Sequence, residues 1–193
     1  MTAPFEPRRG DADALRLIAD HPLAWLVSRA FYASPLPLIA ETDASGAILS
    51  LLGHCGRRNP LVADLRADPR ALILFNGPQG YVSPSLLSQP DWAPTWNYAV
   101  LRFTVDVTFV EDETSGAVER LVAAMEGDRW STERVGPRYP AMLDRIIAFR
   151  ARIVSADPGF KLGQDESAAG LDEIVARHPD RTLAAWMEDQ AKP

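Results

Sequence analysis

The segment GHCGRRNPLVADL, residues 53–65, gathers the residue types that hold a phosphate. Asn59 followed by Pro60 is a strong helix start, because the amide caps free N–H groups and proline is preorganised for the first helical position. A helix N-terminus offers unpaired backbone donors and partial positive charge. Arg57 and Arg58 stand immediately before it, and their forked donors match phosphate oxygens. His54, at the end of the preceding apolar run, could add another donor. An ordinary capped helix with solvated arginines accounts for the same residues, and on local sequence alone it is the simpler reading.

A second concentration is PTWNYA, residues 94–99. If strand pairing begins there, Trp96 and Tyr98 share one face and Asn97 takes the other. The aromatics can be core anchors whose polar tips find partners, or a wall with hydrogen-bond donors beside a planar ring. KLGQ, residues 161–164, sets a cation and an amide after the turn DPGF; alone it reads as a surface loop.

Other chemistries have less support. His54 and Cys55 are neighbours, so on a strand they point to opposite faces, a poor arrangement for shared metal ligation. With His21, His54 and His178 the only histidines, no spaced metal motif exists, and no metal site is expected. Cys55, the single cysteine, excludes an intrachain disulfide and reads as a small buried apolar residue. No GxSxG, GxGxxG or Walker loop occurs, which leaves serine hydrolysis and P-loop chemistry without a motif. The carboxylates of EDE (111–113) and Asp165–Glu166 read as loop or helix-start charges.

The elements that must position these residues are mostly strands. DADALRLIAD (11–20) reads as a short helix with Asp11 as N-cap and Pro22 beyond its end. LAWLVSRA, SPLPLIAET, AILSLLGH, ALILFNG and GYVSPS follow as short apolar runs, with a hairpin signal at DASG (43–46). From Tyr98 to Val110 the alternation is clear. Leu101, Phe103, Val105, Val107 and Phe109 fall on one face, and Arg102, Thr104, Asp106 and Thr108 on the other, as in a half-buried antiparallel strand. A helix is expected over 114–127 with Thr114 as cap, another over 137–145 running into the strand IIAFRARIV, and a helical tail over 165–190 broken at HPD (178–180). Four of the 16 prolines, Pro78, Pro84, Pro90 and Pro94, fall within residues 78–94, marking a long loop that is either functional or a stiffened cover.

Many short strands with few helices between them predict an antiparallel β-barrel or sandwich with added helices, an α+β arrangement. No repeat, low-complexity tract or linker interrupts the 193 residues, so one domain over 1–193 is expected. At 47% hydrophobic and 24% charged, the composition is that of an ordinary globular protein. Apolar stretches such as LAWLV and ALILF are far too short to span a membrane as helices. The opening MTAPFEPRRGDADALR is polar where a signal peptide needs an apolar core, so a cytoplasmic location is expected. A net charge of −6 argues against nucleic-acid binding without a local basic face; Arg145, Arg150 and Arg152 are the candidate stripe.

Several segments together resemble one family. GHCGRRNP is similar to a Gly-His-x-x-Arg-x-Asn-Pro pattern, FNGPQGYVSPS to Phe-x-Gly-Pro-x-x-Tyr-x-Ser-Pro-Ser, PTWNYA matches outright, and KLGQD stands where Lys-Leu-Ser-Gln-Asn is usual. In this order and spacing they resemble the PaiB-like proteins, FMN-binding negative transcriptional regulators. The resemblance runs from HPLAWLVS to KLGQD, nearly the whole chain. It implies a mainly antiparallel split β-barrel of the pyridoxamine-phosphate-oxidase type, a homodimer, and FMN at the dimer interface. It further implies a phosphate grip around His54, Arg57, Arg58 and Asn59, with Thr95, Trp96, Asn97 and Tyr98 as the flavin wall. Tyr81 and Ser83 would line the same cleft, and Lys161 and Gln164 would reach across the dimer. DNA is implied as a partner by the family's regulatory name alone. Leu86 and Leu87 replace a usual Trp-Tyr pair, Pro35 replaces a His, and Gly163 and Asp165 replace Ser and Asn. The functions to be weighed are a flavin-dependent oxidoreductase or redox sensor, a transcriptional repressor, and a divergent barrel that takes haem or another planar ligand or has lost its cofactor.

Overall fold

Six antiparallel strands close into a barrel in the order β1-β2-β3-β6-β5-β4 in a computed structural model that describes residues 9–89 and 91–191. The polar segment 1–8 that bears on the leader, and Pro90 of the proline-rich loop, lie outside the described residues. The strands are β1 (Leu23–Ser28), β2 (Ala33–Thr42), β3 (Ile48–Gly56), β4 (Arg70–Val82), β5 (Thr95–Phe109) and β6 (Ile146–Lys161). Helices α1 (Asp11–Asp20), α2 (Pro60–Ala67), α3 (Thr114–Glu126), α4 (Tyr139–Leu143), α5 (Ala168–Arg177) and α6 (Arg181–Ala191) surround it. The expected antiparallel barrel with added helices is the observed architecture.

Period-two alternation builds the core. Leu101, Phe103, Val105 and Val107 of β5 point inward with Ala24, Leu26, Ile73, Phe75, Phe149 and Ala151. The Phe75 and Phe103 rings meet edge-on with centroids 6.1 Å apart. Phe109, expected on the same face, is only half-buried because the strand ends there. ALILFNG and GYVSPS, separate runs in the sequence, belong to one strand. The register shifts between Asn76 and Gln79, and this bulge admits Gly77 and Pro78 because the ladder is already broken there.

Helices α1 and α6 pack together. Arg16 donates to Asp189 at 2.6 Å and lies over the Trp186 ring at 4.1 Å, while Gln190 donates to the buried Asp13 carboxylate at 2.8 Å. Asp11 is the first helical residue rather than the cap, a position taken by Gly10. Thr114 also is not a side-chain cap. It opens α3, donates to the Glu111 carbonyl at 2.8 Å and accepts from Ala148 N–H at 3.2 Å, tying the helix start to β6.

The β1–β2 hairpin turns through Ser28–Tyr32, with Phe31 N–H donating to Ser28 O and Ser28 N–H to Tyr32 O, both at 2.9 Å. The turn is closed by a left-handed residue, a place that glycine ordinarily takes. Here it is Phe31, with φ 64° and 90% exposure.

On the barrel's outer face, Glu41 accepts from Arg150 and Arg120 at 2.6 Å and from Ser50 at 2.6 Å. The Arg150 hydrogen bond foremost holds the Glu41 carboxyl at about 2, against the upward pull of burial. A folded-state value below the ordinary one means that the ionised form stabilises the fold above pH of about 4.5, and that this contribution drains away as pH falls toward 2. Urea unfolding of wild type and Glu41→Gln across this window should show the variant weaker near pH 6 and the gap closing near pH 3. A gap that does not change with pH would show that Glu41 contributes nothing through its charge.

Candidate functional site

A cavity opens where β3 ends and α2 begins. It measures about 630 Å³ and is lined by Gly56, Arg57, Arg58, Asn59, Asp144 and Arg145. Asn59 caps α2 as its sequence predicts, its Oδ1 accepting from Leu61 N–H at 3.0 Å, and Pro60 occupies the first helical position. The expected unpaired backbone donors are largely absent, however. Leu61 N–H is taken by the Asn59 side chain, Val62 N–H by the Asn59 carbonyl at 2.9 Å, Asn59 N–H by Gly56 O, and Arg57 N–H by Arg145 O. What faces the cavity is therefore a cradle of guanidinia, helped by the helix dipole, rather than a nest of backbone amides.

The three arginines are not equivalent. Arg57 donates to Glu111 at 2.6 Å, and Arg66 shares the same carboxylate at 3.0 Å. This pairing, chiefly the Arg57 hydrogen bond, holds the Glu111 carboxyl below the usual carboxylate range. Among the described residues neither Arg58 nor Arg145 forms an ion pair, so both charges are available to a ligand. Arg145 supplies the third cation, from the junction of α4 and β6. Sequence reading assigned Arg145 to a basic stripe with Arg150 and Arg152 and so missed its place here. Only the pairing of Gly56 with Ile146 brings it beside Arg57. The rest of that stripe is neutralised, Arg150 by Glu41 and Glu113 and Arg152 by Asp106.

His54 lies one strand turn short of the cradle and does not line the cavity. Its Nδ1 is buried without a hydrogen-bond partner, and burial pushes the ring's pKa down. The imidazole is thus an uncharged group near neutral pH, able to hydrogen-bond but not to add charge. Burial likewise pushes the Cys55 thiol up to about 11, which makes it the inert apolar residue expected.

The aromatic wall forms at the far end of the barrel. Tyr81 on β4 and Trp96 on β5 pair across the ladder with ring centroids 6.1 Å apart, and they remain 50% and 56% exposed. A second hollow of about 390 Å³ adjoins them, lined by Trp96, Tyr98, Val100 and Arg102 of β5 and by Asn76, Gly77 and Gln79 of the bulge. As the alternation requires, Asn97 points the other way: it is 1% exposed and donates to Met187 Sδ at 3.5 Å. Lys161, opposite Tyr98, donates to Thr95 Oγ1. Gln164 is spent on its own turn, accepting from Leu162 N–H at 2.7 Å and donating to the Phe160 carbonyl. Ser83 caps the short turn after β4, accepting from Ser85 N–H at 3.2 Å.

The α5–α6 hairpin holds this end in place. His178 is buried, its Nε2 3.2 Å from the Tyr81 carbonyl, and the bare Cα of Gly80 admits it. Gly163 has φ 91°, and a Cβ there would lie 2.7 Å from Leu171, so the replacement of Ser by Gly follows from this packing. Leu86, Leu87 and Trp92 pack against the core, Ser88 N–H donates to Glu173 at 2.6 Å, and Trp92 Nε1 donates to Glu166 at 2.8 Å. The proline-rich segment is a pinned cover.

A closed antiparallel barrel with an arginine-lined helix start is the architecture of a flavin-type split barrel. Two solved structures share the fold: the FAD- and haem-binding protein of Mycobacterium smegmatis (TM-score 0.61, 16% identity, 86% of this chain and 77% of that one) and the flavocytochrome Anf3 of Azotobacter vinelandii (TM-score 0.58, 14% identity, 77% and 66%). The family model described as "Putative FMN-binding domain" matches residues 2–155, and the chain belongs to that family. Within it the chain is PaiB-like, 24% identical over 155 residues to the protease synthase and sporulation protein PAI 2 of Bacillus subtilis, covering 74% of this chain and 73% of that one.

Asn59 has two structural duties, since its Nδ2 also donates to Ser34 Oγ at 3.1 Å on the β1–β2 hairpin. Asn59→Ala should cost about 1–2 kcal/mol of unfolding free energy, as lost helix caps do. Asn59→Asp, which keeps the cap but not the donor to Ser34, should recover most of that loss. Equal destabilisation of the two variants in chemical denaturation would place the cost in the hairpin contact instead.

Proposed function

We propose that this protein binds FMN in a site made by two copies of the chain, the arginine cradle of one facing the aromatic wall of the other. The observation that carries the reading is the 630 Å³ cavity, where Arg57, Arg58 and Arg145 face a single carboxylate, Asp144. A phosphate monoester has close to two negative charges at neutral pH, and forked guanidinium donors suit its oxygens. The residues present therefore fit the FMN phosphate, with Arg58 and Arg145 the best-placed holders because, among the described residues, neither is held in an ion pair as Arg57 is. The exposed faces of Tyr81 and Trp96, with the Asn76 and Gln79 amides and the Tyr98 phenol nearby, suit a flat ring with a polar edge. No His, Cys or Met lines either hollow among the described residues, which favours a flavin over a haem.

The case for two copies is one of length. The cradle sits at the β6 end where Phe149 pairs with Phe109, whereas the wall sits where Lys161 pairs with Tyr98. From Tyr98 to Phe109, at about 3.3 Å per residue, the strand runs on the order of 35 Å, far longer than an FMN molecule. Within one chain the two clusters cannot hold the same ligand; between two antiparallel copies they can. An uncovered sheet face is available for such pairing. Leu23, Trp25 and Leu72 are 61%, 45% and 37% exposed on the outer surface of β1 and β4, a contiguous apolar area of the kind that marks an interface.

FMN, when bound, supplies hydride or electron transfer at its ring, and the protein supplies orientation and charge. The regulatory role that the PaiB-like resemblance implies would then be exercised through the flavin or a protein partner. The Arg150–Arg152 face, already paired with carboxylates, is poorly suited to holding DNA phosphates.

Titration of the purified protein with FMN and with riboflavin tests the cradle, since the two differ only in the phosphate. FMN should bind much more tightly, and Arg58→Ala should weaken FMN by about 10- to 100-fold, the worth of a charged hydrogen bond, while leaving riboflavin unchanged. Equal affinity for the two flavins would remove the phosphate from this cavity. Sedimentation should show a dimer at the concentrations where FMN binds; FMN bound one-to-one by a monomer would overturn the two-copy site.

A further inference from the structure

Phe31 is an anomaly that the barrel does not explain. It is the only non-glycine with positive φ among the described residues, in a turn position suited to glycine, and its ring is 90% exposed. A left-handed backbone crowds any side chain's Cβ against the next carbonyl, and an exposed phenyl ring gains nothing from this chain's core in return. Tyr32, beside it, is 39% exposed.

The hairpin that presents Phe31 is bound to α2, the helix that starts at the cradle. Ser28 Oγ donates to Asp64 of α2 at 2.7 Å, Asn59 Nδ2 donates to Ser34 Oγ at 3.1 Å, and Arg29 pairs with Asp68 at 3.7 Å. Three contacts on both sides of the turn thus lock the hairpin to the helix whose N-terminus lines the cavity. The Phe31 hairpin and the cradle are therefore carried on one helix, at the same end of the barrel. The outer face of β1, with the exposed Leu23 and Trp25, continues from the base of this hairpin.

We infer that Phe31 is an intersubunit anchor: it packs against the aromatic wall of a second copy of this chain and closes the side of the flavin site. The inference rests on the two-copy reading above, and it identifies the residue that seats one copy on the other. The partner is a second copy because, among the described residues, no aromatic lines the cradle on the helix that holds the Phe31 hairpin, and no arginine cluster lines the hollow beside the exposed Tyr81–Trp96 pair at the opposite end of the barrel. A phenyl ring meeting that edge-to-face pair gains aromatic contact and burial, which offsets its unfavourable backbone. Knob and wall recur in both copies, so a two-fold arrangement satisfies both at once.

The consequence is a pair of effects of opposite sign from one substitution. Phe31→Gly relieves the left-handed strain but removes the anchor. In dilute protein, where both forms are monomeric, the variant should melt higher than wild type by about 2–4 °C. Its dimer dissociation constant, from sedimentation over a dilution series, should rise at least 10-fold, and FMN affinity should fall with it. Phe31→Tyr, which keeps the ring, should behave as wild type in both assays. A Phe31→Gly protein that dimerises and binds FMN like wild type would overturn the anchor while leaving the flavin reading intact. A lower melting temperature for the variant monomer would also overturn it, by removing the strain premise. Wild type that stays monomeric while binding FMN would sink the anchor and the two-copy site together.

Discussion

The long antiparallel ladder between β5 and β6 is the constraint on which the rest depends. It runs from Tyr98 opposite Lys161 to Phe109 opposite Phe149, with one register shift beside Val105. A strand of this length has two chemically separate ends, and the barrel's closure prevents them from meeting. One end receives α2 and the arginines, the other the bulge of β4 and the exposed aromatics. The inward residues of the same strands, Leu101, Phe103 and Phe149 among them, form the core. The ladder therefore provides stability and spacing at once, and a change of one residue in register would turn Trp96 inward and Asn97 out.

Around this ladder, polar groups are used to hold elements rather than left for ligands. Asn59 uses its oxygen for the helix and its amide for the hairpin, Gln164 closes its own turn, and Glu111 occupies Arg57. Such satisfaction is expected where burial leaves no water to take up a donor or acceptor. It also isolates the exceptions among the described residues: Arg58 and Arg145 in an open cavity, the buried His21 Nε2 and His54 Nδ1 without partners, and an exposed phenylalanine in a glycine position. The C-terminal hairpin α5–α6 follows the same economy. Its His178, Leu183 and Met187 contact Tyr81, Gly80 and Asn97, so the strand that carries the aromatic wall is braced from behind.

Much of the fold was legible in the sequence because its signals are local. Period-two alternation gave β5 and its inward face, Asn-Pro gave the start of α2, and His-Pro-Asp gave the break between α5 and α6. The two misplaced caps, Asp11 and Thr114, have a common cause. Both residue types are good caps, but the chain's path set the boundary one residue earlier. Joining ALILFNG to GYVSPS required the β5 partner strand, which carries the pairing across Gly77 and Pro78.

The sequence by itself determined the alternation, the helix start, and the opposite facing of Trp96 and Asn97, since each follows from covalent geometry and side-chain chemistry within a few residues. Only the tertiary structure decided which donors remain free and which charges are neutralised. Arg150 meets Glu41 and Arg145 meets Arg57 through pairings between distant strands. It also decided that the arginine cradle and the aromatic wall stand apart. Their separation is a property of barrel length and closure, which no segment of the chain carries alone.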